Sequence, residues 1–220
     1  MAGPEQTVTG LILRKSPRGE RFHLLTLLAD TSGLRRVLIR RPGQNPRHGS
    51  LQPDLFDTGR LRLEQAGRTS GDADAPWFVK EFVLERRRTA LATRYPAFVA
   101  ACAFAQLIVD NAGHLHGADS LHGPVGQVLD HLAGSERPDI GYLKGVYRFL
   151  RDEGFPARQQ FLARLDPADA RAAETLLRQP TRDLKDHPTE GVRRIIQQVH
   201  RWMRQDLDML VPAYPADHKD

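Results

Sequence analysis

The distribution of apolar residues along the chain changes near residue 88. Before this point, five short apolar runs are separated by turn-forming stretches, and several runs alternate apolar with polar residues. Such alternation is typical of strands with one buried face. The pattern predicts five strands: Val8–Lys15, Phe22–Ala29, Leu34–Arg41, Gly59–Gln65 and Trp77–Leu84.

The third predicted strand combines apolar and basic residues. Its period of two places Val37 and Ile39 on one face and Arg36 and Arg40 on the other. If the apolar pair points into a core, Arg36 and Arg40 point outward. Arg35 and Arg41 share the parity of the apolar pair, so they are expected to leave the core at the strand ends.

After residue 88, apolar residues recur at the spacing of amphipathic helices. Pro96 marks either the start or a break in the first helical stretch. Asp166 is a predicted N-cap with Pro167 behind it, and Thr189-Glu190 is a second predicted cap. The predicted helical stretches are Ala90–Ala112, Ser120–Ala133, Asp139–Asp152, Arg158–Leu165, Asp166–Arg178 and Thr189–Leu210.

These patterns predict an α+β chain of two domains. Five short strands with turns between them favour a small β-barrel over residues 1–86. An all-α domain is expected over residues 87–220. A five-stranded barrel with one basic side is typical of the oligonucleotide/oligosaccharide-binding (OB) fold.

The charge of the chain is concentrated in its first part. The 220 residues carry a formal net charge of +5, and residues 1–88 hold 16 basic against 10 acidic residues. Such asymmetry indicates a polyanionic partner. The candidate nucleic-acid-binding residues are Arg14, Lys15, Arg18, Arg21, Arg35, Arg36, Arg40, Arg41 and Arg47.

Aromatic residues are scarce in the same region. Several of them are expected in the core, so a binding groove there would depend mainly on charge and be strongly sensitive to salt. A solvated arginine-rich surface without a ligand is the alternative. The five aromatic residues of the predicted strands and their loops are Phe22, Phe56, Trp77, Phe78 and Phe82.

Several functional classes find no support in the sequence. No apolar run reaches the roughly 18 residues of a membrane span, and the first residues lack the basic start of a signal peptide. The single cysteine, Cys102, makes neither an internal disulfide nor a zinc-thiolate cluster by itself. A cytoplasmic protein is therefore expected. Common catalytic and phosphate-binding motifs are absent, so we expect neither an enzyme nor a cofactor.

Two stretches of the chain resemble a known protein family. They are GLILRKSPRGERFHLLTLLADTSGLRRVLIR and SLQPDLFDTGRLRLEQ. Thr26-Leu27-Leu28, Gly33, the basic strand Arg35–Arg41 and Leu51-Gln52-Pro53 resemble the first domain of the RecO family of bacterial recombination mediators. The helical second half is similar to that family in outline. Many relatives carry a four-cysteine zinc site, whereas this chain has no cysteine after Cys102, so we expect a variant without metal.

The resemblance implies a non-enzymatic role in recombinational DNA repair after DNA damage, in the RecFOR pathway. RecO-like proteins bind single- and double-stranded DNA, anneal complementary strands, and engage RecR and the tail of single-stranded-DNA-binding protein. They thereby help RecA to load onto coated strands. The resemblance also implies a bacterial, nucleoid-associated location without a membrane partner.

The acidic-hydrophobic tail of that partner requires an apolar pocket with a basic rim. The helix around Tyr142–Arg151 offers Lys144, Arg148 and Arg151 beside aromatic residues. An ordinary amphipathic helix with a solvated basic edge is the alternative.

Two other functions stay open at this point. The first is a protein-interaction scaffold whose barrel has an incidental basic face. The second is a metal-dependent enzyme built on His114, His116 and His122 in the stretch GHLHGADSLHG.

Overall fold

The computed structural model describes residues 3–42, 51–66, 75–114 and 120–214 of the chain. The chain forms two compact units. The first comprises residues 1–88 together with 117–126, and the second comprises residues 89–116 together with 127–220. The first unit contains a five-stranded sheet and helices follow it, so the predicted α+β class is confirmed.

The sheet consists of β1 (Glu5–Arg18), β2 (Phe22–Ala29), β3 (Gly33–Arg40), β4 (Thr58–Gln65) and β5 (Trp77–Arg86). The strands pair in the closed order β1-β2-β3-β5-β4, and β4 pairs back onto β1. All pairs are antiparallel except the short contact of β3 with β5. Each of these strands therefore has two neighbours, which satisfies the backbone groups that an edge strand would expose.

Alternation along the strands separates a core side from an outer side, as predicted. Val37 and Ile39 are only 1% and 6% exposed, whereas Arg36 and Arg40 on the same strand are exposed. β1 runs three residues beyond its predicted end, because the tight turn is at Gly19, whose φ of 60° suits glycine. The core cluster of the sheet is Val8, Ile12, Leu25, Leu27, Ala29, Val37, Ile39, Leu61 and Leu63.

A β-bulge in β1 sets which basic side chains face outward. Ile12 is opposite Leu27 on the core side, but Arg14, two residues later, is opposite Thr26. One extra residue is thus inserted between Ile12 and Arg14, and a one-residue shift exchanges the two faces of a strand. Without the bulge, Arg14 would have the parity of the buried Ile12.

The helices are α1 (Thr89–Thr93), α2 (Tyr95–Asn111), α3 (His122–Gly134), α4 (Pro138–Asp152), α5 (Pro167–Arg178) and α6 (Thr189–Asp206). Pro96 lies in the first turn of α2, so the first helical stretch is two helices. The predicted N-cap of α5 is confirmed, because the Asp166 carboxylate accepts hydrogen bonds from the backbone N–H groups of Ala168 and Asp169.

Three details of the helical predictions are wrong. Arg158–Leu165 is not an α-helix but a π-helical turn, Ala157–Phe161, followed by a 3₁₀ turn. The N-cap of α6 is Pro188, without a side-chain cap from Thr189 or Glu190. α6 also ends at Asp206 instead of Leu210, because Asp208 has a left-handed φ of 52° and the Met209 N–H binds the Met203 carbonyl at 3.1 Å. Beyond this turn, the Asn111 side chain binds both the N–H and the C=O of Leu210.

Candidate nucleic-acid interface

Four arginines lie on the outer side of the three-stranded part of the sheet formed by β1, β2 and β3. Arg14 and Arg36 are both opposite Thr26, and Arg18 and Arg40 are both opposite Phe22. Directly opposed residues point to the same side of a sheet. The two members of each row are therefore about 10 Å apart at the backbone, two strand spacings. We call Arg14, Arg18, Arg36 and Arg40 the arginine face.

An aromatic groove adjoins the arginine face. The rings of Phe22 and Phe78 meet edge to face, with centroids 5.5 Å apart. Arg40, Lys80 and Glu64 line the same groove, whose volume is about 580 Å³. Several of the aromatic residues lie in or against the core, as expected: Phe56 is 2% exposed, and Trp77 and Phe82 pack against the core cluster. Phe22 and Phe78 are half-buried and line the groove instead.

The basic side chains of β4 and β5 differ from the arginine face in their partners. Arg60 lies 3.4 Å from Glu85, and Arg62 lies 3.5 Å from both Glu5 and Glu81. Lys80 lies 2.6 Å from Glu64, and this hydrogen bond lowers the pKa of the Glu64 carboxyl. These cations are neutralised within the sheet.

No such neutralisation exists on the arginine face. Among residues 3–42, 51–66, 75–114 and 120–214, no carboxylate oxygen lies within 4.0 Å of Arg14, Arg18, Arg36 or Arg40. Arginines thus lie on two parts of the outer side of one sheet, and among the described residues those of β4 have carboxylate partners whereas those of the arginine face have none. The arginine face keeps its charge available for an external anion.

The other predicted binding residues divide into distinct groups. Lys15 donates to the backbone carbonyl of Pro53 at 2.9 Å and lies 3.6 Å from Asp54. Arg35 donates to Gln6 Oε1 at 2.7 Å and lies over the Trp77 ring, 5.4 Å from its centroid. These two side chains hold the protein together and are not free for a ligand.

Three predicted residues remain. Arg21 is exposed in the turn between β1 and β2. Arg41 is half-buried, and its Nε has no hydrogen-bond acceptor among the described residues. Arg47 lies outside the described residues.

The first unit disfavours the protonated form of two histidines, His23 and His122. Burial lowers the pKa of His23, and the positive charges of Arg41 and Lys15 lower it further. Burial also lowers the pKa of His122, which has Asp30, Arg88 and Glu85 as charged neighbours. Both rings therefore take up protons more readily in the unfolded chain than in the folded one.

We expect the free energy of unfolding to fall as the pH drops from 7.5 to 5.5. The folded pKa values lie below the ordinary histidine value of 6.5, so the unfolded state binds more protons in this window. Urea unfolding at the two pH values measures the change. The double variant His23→Gln/His122→Gln should show a smaller change than the wild type, and an equal or larger change would contradict the assignment.

The basic residues predicted for partner binding are only partly brought together. Lys144 and Arg148 line a cavity of about 420 Å³ in the second unit, with His131 and Arg182. Arg151 is not among its lining residues and instead lies 2.7 Å from Asp152. The Lys144 ammonium donates to the carbonyl of Gln179, and burial lowers its pKa.

Close packing of two helices forms the floor of this cavity. Gly145 of α4 faces Val128 of α3, and a Cβ at Gly145 would lie 2.7 Å from a Val128 methyl group. Gly141, one turn earlier, also lines the cavity. The apolar floor and basic rim are what an acidic peptide with apolar residues requires.

The predicted histidine metal site is only partly within the described residues. His116 and the side chain of His114 lie outside them, so their relation to His122 is open. In the part of the chain that the structure describes, no group of three or more His, Cys, Asp or Glu side chains is placed to hold a metal ion. Cys102 is half-buried, and burial raises the pKa of its thiol, which disfavours the reactive thiolate.

Comparison with known proteins gives no assignment for the chain. No protein-family model matches the sequence, and no curated protein matches it. The interpretation of the interface therefore depends on its own geometry and charge.

Within the described ranges, the helices are too short or too polar to cross a bilayer.

Proposed function

We propose that this chain is a non-enzymatic DNA-binding protein that acts as a recombination mediator and anneals single strands. The observation that carries the proposal is that the arginine face has no acidic partner among the described residues, whereas Arg60, Arg62 and Lys80 on β4 and β5 are paired. Like charges placed together without partners destabilise a protein unless an anion meets them. DNA is the polyanion that such an extended surface fits.

The chemistry of the surface favours single-stranded DNA. Arginine guanidinium groups bind phosphate oxygens with two parallel hydrogen bonds, while Phe22 and Phe78 offer ring surfaces and edges beside Arg40. Unpaired bases stack on aromatic side chains, and paired bases cannot. By neutralising phosphates of two strands together, the same arginines would reduce the repulsion that opposes annealing.

The topology of the sheet supports the finer part of the fold proposal, an OB-type barrel. A five-stranded Greek-key barrel is the architecture of that fold, and five strands in closed order with one parallel contact are consistent with it. The resemblance to the RecO family points the same way.

The cavity of the second unit supports the proposed partner. Its basic rim of Lys144, Arg148 and Arg182 and its apolar floor suit the acidic-hydrophobic tail of single-stranded-DNA-binding protein. RecR, double-stranded DNA and, indirectly, RecA complete the proposed set of partners, as implied by the resemblance.

The alternative of a scaffold with an incidental basic face is less consistent with the charge distribution. A basic surface that binds no ligand is expected to be stabilised by local ion pairs, such as those of the arginines on β4. Nothing in the described part of the chain favours the metal-dependent enzyme over either of these.

An annealing assay tests the proposal. Two complementary oligonucleotides, one carrying a fluorophore and the other a quencher, are mixed at a concentration at which they anneal slowly. The chain should accelerate quenching at low salt, and the variant Arg36→Ala/Arg40→Ala should lose most of this acceleration. No acceleration by the wild type would contradict the proposed annealing function.

A further inference from the structure

Two adjoining cavities in the second unit share one histidine. The cavity of about 420 Å³ that Lys144 and Arg148 line, and a second of about 390 Å³ that Arg137 and Lys185 line, have His131, Thr181 and Arg182 in common. His131 therefore lies between them. We call the two cavities together the His131 groove.

The charges around His131 are unevenly distributed. On one side, Lys144 and Arg148 of α4 and Arg182 line a cavity that has no acidic side chain among its described lining residues. Outside the lining, Asp152 lies 3.4 Å from Arg148 and Asp183 lies 3.6 Å from Arg182. On the other side, Asp130 and Glu136 line the groove. The Glu136 carboxylate is already 2.6 Å from the Lys185 ammonium, and Arg137 is 2.7 Å from Asp139.

The environment of the empty groove disfavours the charged form of His131. Burial and the nearby Lys144 ammonium lower the pKa of its ring. The contact of its Nε2 with the Thr181 hydroxyl oxygen at 3.1 Å is compatible with both forms, because a hydroxyl can donate to the neutral ring or accept from the charged one. When both ring nitrogens carry protons, this nitrogen donates to Thr181 and the ring bears a positive charge.

We propose that an acidic peptide binds in the His131 groove together with one proton, which is taken up by His131. The inference rests on the proposed function, since the acidic tail of the single-strand-binding partner is the proposed occupant. A carboxylate on Lys144, Arg148 and Arg182 would place negative charge beside the ring and reverse the charge balance that keeps it neutral. His131 thus adds a positive charge to the rim only when the acidic peptide is present.

The consequence is tighter binding at lower pH. Carboxylates of the peptide stay ionised down to about pH 5, so the peptide itself does not titrate between pH 6.0 and 8.5. Each unit by which the peptide raises the pKa of His131 strengthens binding at the acidic end up to about tenfold.

Isothermal titration calorimetry of the full chain tests this proposal. The probe is a synthetic N-acetylated peptide of four aspartates followed by two apolar residues with a free carboxyl terminus, so that it carries no α-amino group titrating near pH 8. Titrations at pH 6.0, 7.0 and 8.5, in two buffers with different ionisation enthalpies, give the affinity and the number of protons taken up. We expect uptake of about half a proton near pH 7 and about tenfold tighter binding at pH 6.0 than at pH 8.5.

Two variants assign the proton. His131→Gln should bind the peptide with little pH dependence and without proton uptake. His187→Gln, whose side chain does not line either cavity, should behave as the wild type. Circular dichroism and the affinity of each variant for single-stranded DNA verify that the chain is folded.

The possible results of these titrations distinguish the role of His131 from the existence of the peptide site. Peptide binding with equal affinity at all three pH values, or unchanged proton uptake by His131→Gln, would overturn the role of His131 and leave the peptide site standing. No peptide binding at any pH would overturn both the partner site and the inference. DNA binding by the arginine face is measured separately and depends on neither.

Discussion

The double variant Arg36→Ala/Arg40→Ala should bind single-stranded DNA about 10- to 100-fold more weakly than the wild type at 100 mM salt. Both side chains are exposed on β3, and no acidic partner lies near them within the described residues. Each neutralised phosphate of a single strand contributes about −0.7 to the slope of log affinity against log salt. Fluorescence anisotropy over a salt series should therefore give a slope about 1.4 less negative for the variant.

A matched control exists on β4 of the same sheet. Arg60→Ala/Arg62→Ala removes the same charge from exposed positions of the same sheet, but from side chains already paired with Glu85, Glu5 and Glu81. This variant should retain wild-type affinity within about threefold, since its arginines are largely neutralised. Equal losses in the two double variants would mean that overall charge, and not the arginine face, governs binding.

Gly59→Ala should lower the free energy of unfolding by about 2 to 3 kcal/mol. Gly59 lies in β4 between β1 and β5. A Cβ at this position would meet the Phe82 ring and lie 2.5 Å from the backbone carbonyl oxygen of Val83. The ring can rotate, but the carbonyl belongs to the paired strand and cannot move without disturbing the sheet. Urea unfolding followed by circular dichroism measures the loss.

Gly134→Ala is the control for this substitution. Gly134 is the last residue of α3. Apart from its two chain neighbours and the backbone of its own helix, no heavy atom of the described residues would lie within 4 Å of a Cβ there. The same chemical change should be neutral or slightly stabilising, because alanine is a better helix former than glycine. A loss of stability in Gly134→Ala equal to that in Gly59→Ala would contradict the packing argument.

Alternation in the sequence is sufficient to predict the faces of β3. Val37 and Ile39 are buried and Arg36 and Arg40 exposed, as the period of two requires. It is not sufficient for β1, where the bulge between Ile12 and Arg14 exchanges the faces. A bulge is a property of two paired strands, and one strand read alone does not contain it.

Which basic side chains are free for a ligand also depends on contacts between residues that are distant in the sequence. Lys15 and Arg35 look like Arg36 and Arg40 in the sequence, yet their partners lie 38 and 29 residues away. The groove was missed for the same reason, since Phe22 and Phe78 come from strands that are distant along the chain. Only the register of β2, β3 and β5 brings them together.

In the helical unit, the sequence predicted a feature that depends on neighbouring residues but not the contacts between distant ones. The Asp166 cap is a local hydrogen-bond pattern, and it forms as expected. The segment after α6 is held by a distant residue, since Asn111, 99 residues before Leu210, binds both backbone groups of Leu210. Arg151 was grouped with Lys144 and Arg148 by sequence proximity. Both arginines pair with Asp152, but only Arg148 lines the cavity.

Photo-cross-linking locates the DNA on the chain and tests the central claim most directly. The full-length protein is irradiated with an oligothymidine at low salt, digested with trypsin, and analysed by mass spectrometry. The account predicts cross-links in the tryptic peptides of residues 22–35 and 69–80, which contain Phe22 and Phe78. Cross-links confined to residues 89–214 would contradict it.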